Sequence, residues 1–245
     1  MFVKHSLNKN TLKHLGIIMD GNRRWAKSKG LEAIEGHKKG IETAKIIIKA
    51  AIEKKISFLT LYAFSSENWK RDPEEIEDLM NLLRFFLNTE INTLSDSGVK
   101  LTVLGDLSQF DEDIKFKIKK ASSYNSKKFK LNLIMAINYG ARQEITKAVQ
   151  KICKKLLNNT IDFNQVNERE IEDNLYTKGI PDPDLIIRTG GDRRLSNFLL
   201  WQSAYTEFYM TDIHWPDFRE KELLNSIIDY QMRQRRFGKT DEQIL

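Results

Sequence analysis

Residues 14–26 of the chain read HLGIIMDGNRRWA, and this stretch decides the fold class. Its first half is a short apolar run, with Ile17 and Ile18 at its centre, that stops at Asp20. A short β-branched run is typical of a buried parallel strand, because a helix would need a longer periodic pattern. The stretch therefore predicts one strand of an open α/β sheet, with Asp20 at its carboxyl end.

The residues after that strand predict an anion site. All four can donate hydrogen bonds to phosphate: Gly21, Asn22, Arg23 and Arg24. Ligands of open α/β sheets bind at the carboxyl ends of the strands, and the Asp20 carboxylate is a suitable oxygen ligand for Mg²⁺. The alternative is that Asp20 only caps the helix that follows.

Strand and helix patterns alternate along the rest of the chain. Further strands are predicted at 56–64, 99–104, 131–138, 185–187 and 205–210, and helices at 35–54, 73–95, 111–124, 143–157, 168–175 and 218–236. This alternation predicts a single α/β domain over 1–245, with a core of about 14–238 and a mostly parallel six-stranded sheet flanked by helices. The apolar face of the helix at 73–95 is either ordinary core or the lining of a channel for an apolar ligand.

Two later strands also end in polar residues. The strand at 56–64 is followed by SSENWKR at 65–71, and the strand at 185–187 by Arg188, Arg193, Arg194 and Ser196. Carboxyl ends of parallel strands meet at one edge of a sheet, so these groups are expected near Asp20.

Composition narrows the possible partners. The net charge of +6 and the pI of about 9.2 favour acidic partners, namely phosphates, nucleic acid or an anionic membrane surface. The lysines are dispersed over helical positions without a nucleic-acid-binding module, so we expect no nucleic acid partner. The one cysteine, Cys153, excludes an intrachain disulfide and is expected in the core. No apolar segment has the length of a signal or transmembrane helix, which favours a soluble cytoplasmic protein.

Several of these motifs together resemble the cis-prenyltransferases, in particular the bacterial undecaprenyl diphosphate synthases. They are HLGIIMDGNRRWA, GHKKG at 36–40, LYAFSSENWKR at 61–71, RTGGDRRLSNFLLWQSAYTEFY at 188–209 and WPDF at 215–218. The resemblance implies a homodimer with a hydrophobic tunnel between sheet and helices. It also implies Mg²⁺-dependent elongation of farnesyl diphosphate by isopentenyl diphosphate, with cis double bonds, to the undecaprenyl lipid carrier of cell-wall synthesis. Release of the product implies a peripheral contact with the membrane.

The resemblance assigns roles to individual residues. Asp20 and Asn68 are implied in catalysis, and Asp20 and Glu207 as metal ligands. Substrate binding is implied for Gly21, Asn22, Arg23, Arg24, Trp25, His37, Ser65, Ser66, Glu67, Trp69, Arg71, Arg188, Arg194, Leu195 and Ser196. The segment 65–71 corresponds to the family's mobile loop, and Arg188, Arg194 and Ser196 to its isopentenyl diphosphate site.

For Asn68, Trp69 and Glu207, elementary chemistry leaves other roles open. A neutral amide is a poor base, so Asn68 is expected to position the substrate while a diphosphate oxygen or water takes the proton. Trp69 could instead pack against the following helix, and Glu207 could instead pair with an arginine of the same chain.

Two positions depart from the family pattern. The usual arginine four residues before His37 is Ala33 here, which removes one phosphate donor. The usual glutamate of RTGGE is Asp192, one methylene shorter, which puts its polar contacts in doubt. A catalytically inert partner subunit and a basic RNA-binding protein are the rival interpretations, and the sequence leaves product length open.

Overall fold

The computed structural model describes residues 11–123, 129–236, 238 and 240. Six strands form one sheet in the order β3-β4-β2-β1-β5-β6, and every pairing between neighbours is parallel. The strands are β1 (His14–Ile18), β2 (Phe58–Ser65), β3 (Val99–Leu104), β4 (Leu131–Tyr139), β5 (Leu185–Arg188) and β6 (Glu207–Met210). The predicted α/β class and parallel six-stranded sheet are confirmed.

Strand β1 lies inside the sheet and is buried along its whole length. It pairs with β2 on one side and β5 on the other, so that Ile18 lies level with both Tyr62 and Arg188. A strand covered on both faces has no solvent side, which explains its continuous apolar run. The carboxyl ends of β1, β2 and β5 therefore meet at one edge.

Helices cover both faces of the sheet. They are α1 (Asn22–Ser28), α2 (Ala33–Glu53), α3 (Pro73–Asp96), α4 (Glu112–Ser122), α5 (Ala141–Leu157), α6 (Glu168–Glu172) and α7 (Glu220–Met232). Side chains of α2, α3, α4 and α7 share one apolar core with Leu15 and Ile17, whereas Ile18 joins a second core with Ala141 and Phe198. Successive residues of β1 thus point into different layers, as the twofold period of a strand requires.

The last helix is shorter than the 218–236 predicted from the sequence. It ends at Met232, and Arg233 has an extended backbone. Arg233 donates to Glu207 at 2.8 Å and Arg235 to Asp184 at 3.0 Å, so the segment after the helix lies along the sheet edge. These long-range ion pairs override the local helical pattern.

The prediction that Cys153 lies in the core was wrong, because its side chain is exposed. The buried face of α5 includes Ala148 and Ile152, and Cys153 is one residue further on, which turns it about 100° away. Tyr124, the last residue of the helix predicted at 111–124, lies outside the described residues. Among the described residues, no helix has the length and apolar character needed to cross a membrane.

Candidate active site

A cavity of about 1030 Å³ opens at the carboxyl ends of β1, β2 and β5. Thirteen of the residues assigned from the sequence line it: Asp20, Gly21, Asn22, Arg23, Arg24, His37, Ser65, Glu67, Asn68, Arg71, Arg188, Arg194 and Ser196. They come from segments far apart in the chain, and the parallel topology brings them to one edge.

The Asp20 carboxylate lies at the centre of the polar part of the cavity. One oxygen accepts from Arg188 at 2.8 Å, and the other lies 2.9 Å from the Arg24 guanidinium. Thr189 Oγ1 accepts from the Asp20 amide and donates to the Asp20 carbonyl, which fixes the backbone. The N-cap of α1 is Gly21, with φ 105°, and no side chain caps that helix. The alternative role of Asp20 as a cap is therefore excluded.

Arg188 is buried, with 3% of its surface exposed, and its donors are mostly committed. Beyond Asp20 it donates to Ser196 Oγ at 2.7 Å and to the Arg194 carbonyl. Its Nε has no partner in the described structure, although the atom is buried. A buried donor without a partner costs stability, so this edge has donor capacity available to an anion.

The Asp192 carboxylate lies near three arginines of the site. Its Oδ2 lies 2.8 Å from Arg194, 3.5 Å from Arg24 and 3.6 Å from Arg188. The shorter side chain at this position therefore does reach polar partners, which removes the doubt raised by the sequence. We call Asp20, Asp192, Arg24, Arg188 and Arg194 the Asp20 cluster; three arginines face two carboxylates there, so the cluster is cationic.

The charge state of Asp20 follows from these contacts. Burial alone would raise the pKa of its carboxyl, but hydrogen bonds from Arg188 and Arg24 outweigh burial and hold the pKa below its usual value. Asp20 is thus an anion throughout the neutral range, as a metal ligand must be.

Two arginines and a histidine surround Glu75 at the start of α3. The Glu75 carboxylate lies 2.8 Å from Arg71, 3.2 Å from Arg23 and 3.7 Å from His37 Nε2. Burial, with help from the Arg71 charge, lowers the pKa of His37, so the imidazole is neutral at pH 7. We call these four residues the Glu75 cluster. Arg23 is thereby held by an ion pair, although more than half of its side chain is exposed.

The segment after β2 is a 3₁₀ turn over Ser66–Lys70 rather than an irregular loop. Asn68 Oδ1 accepts from the Ser65 amide at 3.0 Å, and the Ser65 hydroxyl accepts from the Asn68 backbone in return. The Asn68 side chain is therefore oriented by its own turn at the cavity wall.

The interior of the cavity is apolar. Helices α2 and α3 and strands β2 and β4 supply its lining, which includes Ile41, Ala44, Leu61, Leu79, Met80, Leu82, Leu83, Phe86, Met135 and Ile137. The helix over 73–95 thus does line a channel, as one of the two sequence interpretations held. Leu83 and Phe86 belong to that lining, whereas Leu87 is buried in the core.

Five assigned residues lie away from the cavity lining: Trp25, Ser66, Trp69, Leu195 and Glu207. Trp69 packs edge-on against Phe64 and Phe110, which is the packing role the sequence left open. The structure does not bring Glu207 to Asp20. Glu207 is level with Leu185, hence with Leu15 at the other end of β1, and its carboxylate accepts from Arg233.

Among the described residues, no group of three or more His, Cys, Asp and Glu side chains could hold a metal ion by itself. Mg²⁺ in phosphoryl-group sites is commonly held by one or two carboxylates together with substrate phosphates and water. The ionised, partly exposed Asp20 could supply the carboxylate in that mode.

Sequence reasoning missed Glu75 and Asn197 as site residues. Glu75 stands beside Glu74 in an acidic first helical turn, so nothing local distinguishes it. Asn197 lines the cavity, whereas Glu75 only pairs with residues that line it. The only sequence signal of Asn197 is its place directly after Ser196.

Comparisons with known proteins agree with this geometry. Residues 18–238 match the Prenyltransf family model, described as "Putative undecaprenyl diphosphate synthase". An isoprenyl transferase of Clostridium perfringens is 47% identical, with 92% of this chain and 89% of that one aligned. One of Prochlorococcus marinus is 48% identical, covering 92% and 83%.

Two solved structures share the fold. Lavandulyl diphosphate synthase from Lavandula x intermedia, in complex with dimethylallyl diphosphate, superposes with a TM-score of 0.91 at 36% identity, covering 94% of this chain and 99% of that one. A probable undecaprenyl diphosphate synthase from Campylobacter jejuni gives 0.78 at 34% identity, covering 94% and 100%.

Proposed function

We propose a specific reaction for this chain, which belongs to the undecaprenyl diphosphate synthase family of prenyltransferases. The chain elongates farnesyl diphosphate with isopentenyl diphosphate. Each cycle forms a cis double bond, and the final product is a long-chain, undecaprenyl diphosphate. Such a product is the precursor of the lipid carrier for bacterial cell-wall polysaccharide. One observation carries the proposal: a single cavity joins two cationic clusters to an apolar interior.

Two clusters suit a reaction with two diphosphates. The arginines of the Asp20 cluster and of the Glu75 cluster line the same cavity. Their planar guanidinium groups bind phosphate oxygens in pairs. In the proposed arrangement, the Glu75 cluster with the α1 amino end binds the allylic diphosphate. Arg188, Arg194 and Ser196 bind the diphosphate of isopentenyl diphosphate.

The reaction breaks the allylic carbon–oxygen bond and forms a carbon–carbon bond, while a proton leaves the isopentenyl unit. The electron pair of the broken bond goes to the departing diphosphate, so donors that strengthen with its growing charge lower the barrier. In the proposed mechanism, Arg24 and the α1 amides have this role. A Mg²⁺ ion held by Asp20 and diphosphate oxygens would supply further charge neutralisation there.

The proton is proposed to pass to a diphosphate oxygen or to water. Asn68 is oriented by Ser65 at the cavity wall and lacks basicity, so its proposed role is to hold the reacting isopentenyl group by hydrogen bonding. The segment 65–71, with Glu67 and Arg71 in the lining, is the proposed element that excludes water from the reacting carbon.

The apolar interior supports a long product. At about 1030 Å³ the cavity is at the upper end of the usual range for ligand sites, roughly 300 to 1,000 Å³. A cis-prenyltransferase of different product length is the alternative. The fold of lavandulyl diphosphate synthase is nearly the same, so fold alone does not set the product.

A homodimer is part of the proposal. Leu224, Ile228 and Met232 recur at every fourth position of α7 and are 37%, 45% and 70% exposed. Helix α7 lies beside β6, an edge strand of the sheet. An apolar stripe next to an edge strand is a self-complementary surface that a twofold contact would cover. We also propose a cytoplasmic location, with peripheral contact at the membrane for product release.

The test is an incubation of the purified protein with farnesyl diphosphate, labelled isopentenyl diphosphate and Mg²⁺, followed by sizing of the products. We expect a ladder that ends at a long polyprenol, and no product after chelation of the metal. A single short product would favour the alternative of different product length. No product at any substrate concentration would favour an inert partner subunit, and salt-sensitive binding of polyuridine instead would favour the RNA-binding rival.

A further inference from the structure

Residues 196–199 are unusually strained for a segment beside a binding site. Ser196, Asn197 and Leu199 have φ of 49°, 62° and 43°, in the left-handed region that L-residues avoid. Such residues are strained, so surrounding contacts must hold the segment in place. Four of the hydrogen bonds that hold it are made by Asn197.

Asn197 caps the amino end of α5 from outside that helix. The helix has no side-chain cap of its own, because its N-cap is Gly140. The Asn197 carbonyl accepts from the Ala141 amide at 2.8 Å, and its Oδ1 accepts from the Arg142 amide at 2.9 Å. Two amides that a helix leaves without partners are thus satisfied by one residue 55 positions further along the chain.

The side-chain nitrogen of Asn197 contacts both the turn over Ser66–Lys70 and helix α5. Its Nδ2 donates to Glu67 Oε1 at 2.8 Å and to Gln143 Oε1 at 3.0 Å. Both donor hydrogens and the acceptor of this side chain are therefore used, one for the Ser66–Lys70 turn and two for the first turn of α5.

Gly140 makes this close approach sterically possible. A Cβ at that position would lie 2.6 Å from Ser66 Oγ and 2.7 Å from Asn197 Nδ2. The Gly140 backbone has φ −152°, which any residue adopts, so the requirement for glycine here is one of space.

We propose that Asn197 is a positioning residue whose hydrogen bonds hold the Ser66–Lys70 turn and the amino end of α5 against the segment 196–199. In doing so it holds the Ser196 hydroxyl where it accepts from Arg188. This inference rests on the proposed function only for its kinetic consequence. Its structural consequence can be measured without any turnover.

The first experiment removes the side chain without adding strain. Glycine tolerates positive φ, so Asn197→Gly deletes three hydrogen bonds and leaves the backbone conformation accessible. The matched control is Asn159→Gly, an exposed asparagine with φ 53° just after α5. Amide hydrogen exchange of residues 66–70 should rise at least tenfold in Asn197→Gly and stay unchanged in Asn159→Gly. Unchanged exchange in both would overturn the proposal.

The second experiment reverses the bond to Glu67. Asn197→Asp keeps the acceptor for the Arg142 amide but sets a carboxylate against the Glu67 carboxylate, so the turn should open as in Asn197→Gly. Adding Glu67→Gln restores a donor on the other side, and exchange should return to within about threefold of wild type. If the double variant stays as open as Asn197→Asp, Asn197 does not act through Glu67, and the proposal fails.

Kinetics provide the third readout. Asn197→Gly should raise the Michaelis constant for isopentenyl diphosphate about tenfold while that for farnesyl diphosphate changes less than twofold, because Ser196 loses its support. Equal changes in both constants would contradict a role through Ser196. A wild-type protein without prenyltransferase activity would overturn the proposed function, while the exchange experiments would still decide the role of Asn197.

Discussion

Asp20 and Arg188 are 168 residues apart in the sequence and form a 2.8 Å ion pair, with the Arg188 side chain 4% exposed. The removal of only one partner of such a pair is strongly destabilising, because the other charge is left buried. Any substitution at Asp20 therefore affects both the chemistry and the packing of Arg188 at the end of β5.

We expect Asp20→Ala to remove nearly all turnover while farnesyl diphosphate still binds, because Asp20 acts chiefly on charge that develops in the transition state. A fall in kcat of at least 100-fold, in line with the loss of one oxyanion-type interaction, is the expected result. Asp173→Ala, which removes an exposed carboxylate of a surface ion pair, is the control. Thermal melting of both variants separates misfolding from lost chemistry, and a folded Asp20→Ala with half of normal turnover would contradict the assignment.

Arg23 is expected to replace the phosphate donor lost at Ala33. The structure holds Arg23 against Glu75 in the cavity lining, and Ala33 lies on α2 one turn before His37, on the same side of the helix. Losing a charge-assisted phosphate contact costs roughly 1.5 to 3 kcal/mol. Arg23→Gly should therefore raise the Michaelis constant for farnesyl diphosphate about tenfold and leave that for isopentenyl diphosphate nearly unchanged.

The compensating variant tests the same idea in reverse. Ala33→Arg combined with Arg23→Gly should recover most of the lost affinity, measured by the same initial-rate kinetics. If Arg23→Gly has the constants of the wild type, the enzyme binds its allylic substrate with fewer donors than its relatives do.

Product length is expected to depend on Phe86. Its ring lines the apolar cavity, whereas the neighbouring Leu87 is equally buried, at 6% exposure, but lies in the core outside the lining. Truncating either to alanine costs about 2–5 kcal/mol of stability, so the pair is matched in that respect. Phe86→Ala should shift the product ladder to longer chains, as read by chromatography of the polyprenols, and Leu87→Ala should leave it unchanged. The reverse pattern would place the cavity wall elsewhere.

His14 is expected to make the stability of the fold sensitive to acid. The imidazole is buried between the Pro181 carbonyl at 2.6 Å and Thr60 Oγ1 at 2.7 Å, and burial lowers its pKa from 6.5 to about 4. Between these two pKa values the unfolded chain binds a proton at His14 that the folded chain does not. The contribution of neutral His14 to the free energy of unfolding is therefore complete above pH 6.5 and is lost as the pH falls toward 4. The slope should approach 1.4 kcal/mol per pH unit within that window.

Urea denaturation between pH 7 and pH 4.5 measures this slope. His14→Gln should flatten most of it, whereas His37→Gln, at the other histidine whose pKa burial lowers, should flatten it less. A His14→Gln variant with the full wild-type slope would show that another group is responsible.

The sheet and the position of the site could be predicted because their signals are local. The run from Leu15 to Met19 and its stop at Asp20 define both a strand and its functional end. Contacts that join distant segments have no such signal. The end of α7 depends on Arg233 and Arg235 reaching carboxylates 26 and 51 residues away, and the local pattern continues as helix past that point. Glu75 and Asn197 likewise acquire their roles only from partners that folding brings to them.

The position of β1 in the sheet also has a consequence during synthesis of the chain. Strand β1 leaves the ribosome well before one of its two strand neighbours, β5, which begins only after residue 184. Until then one edge of β1 is open and Asp20 lacks Arg188, one of the two arginines that pair with it. Long sequence separation between paired strands slows folding. The site can therefore form only after β5 has been synthesised, so a chain that ends before Arg188 lacks it.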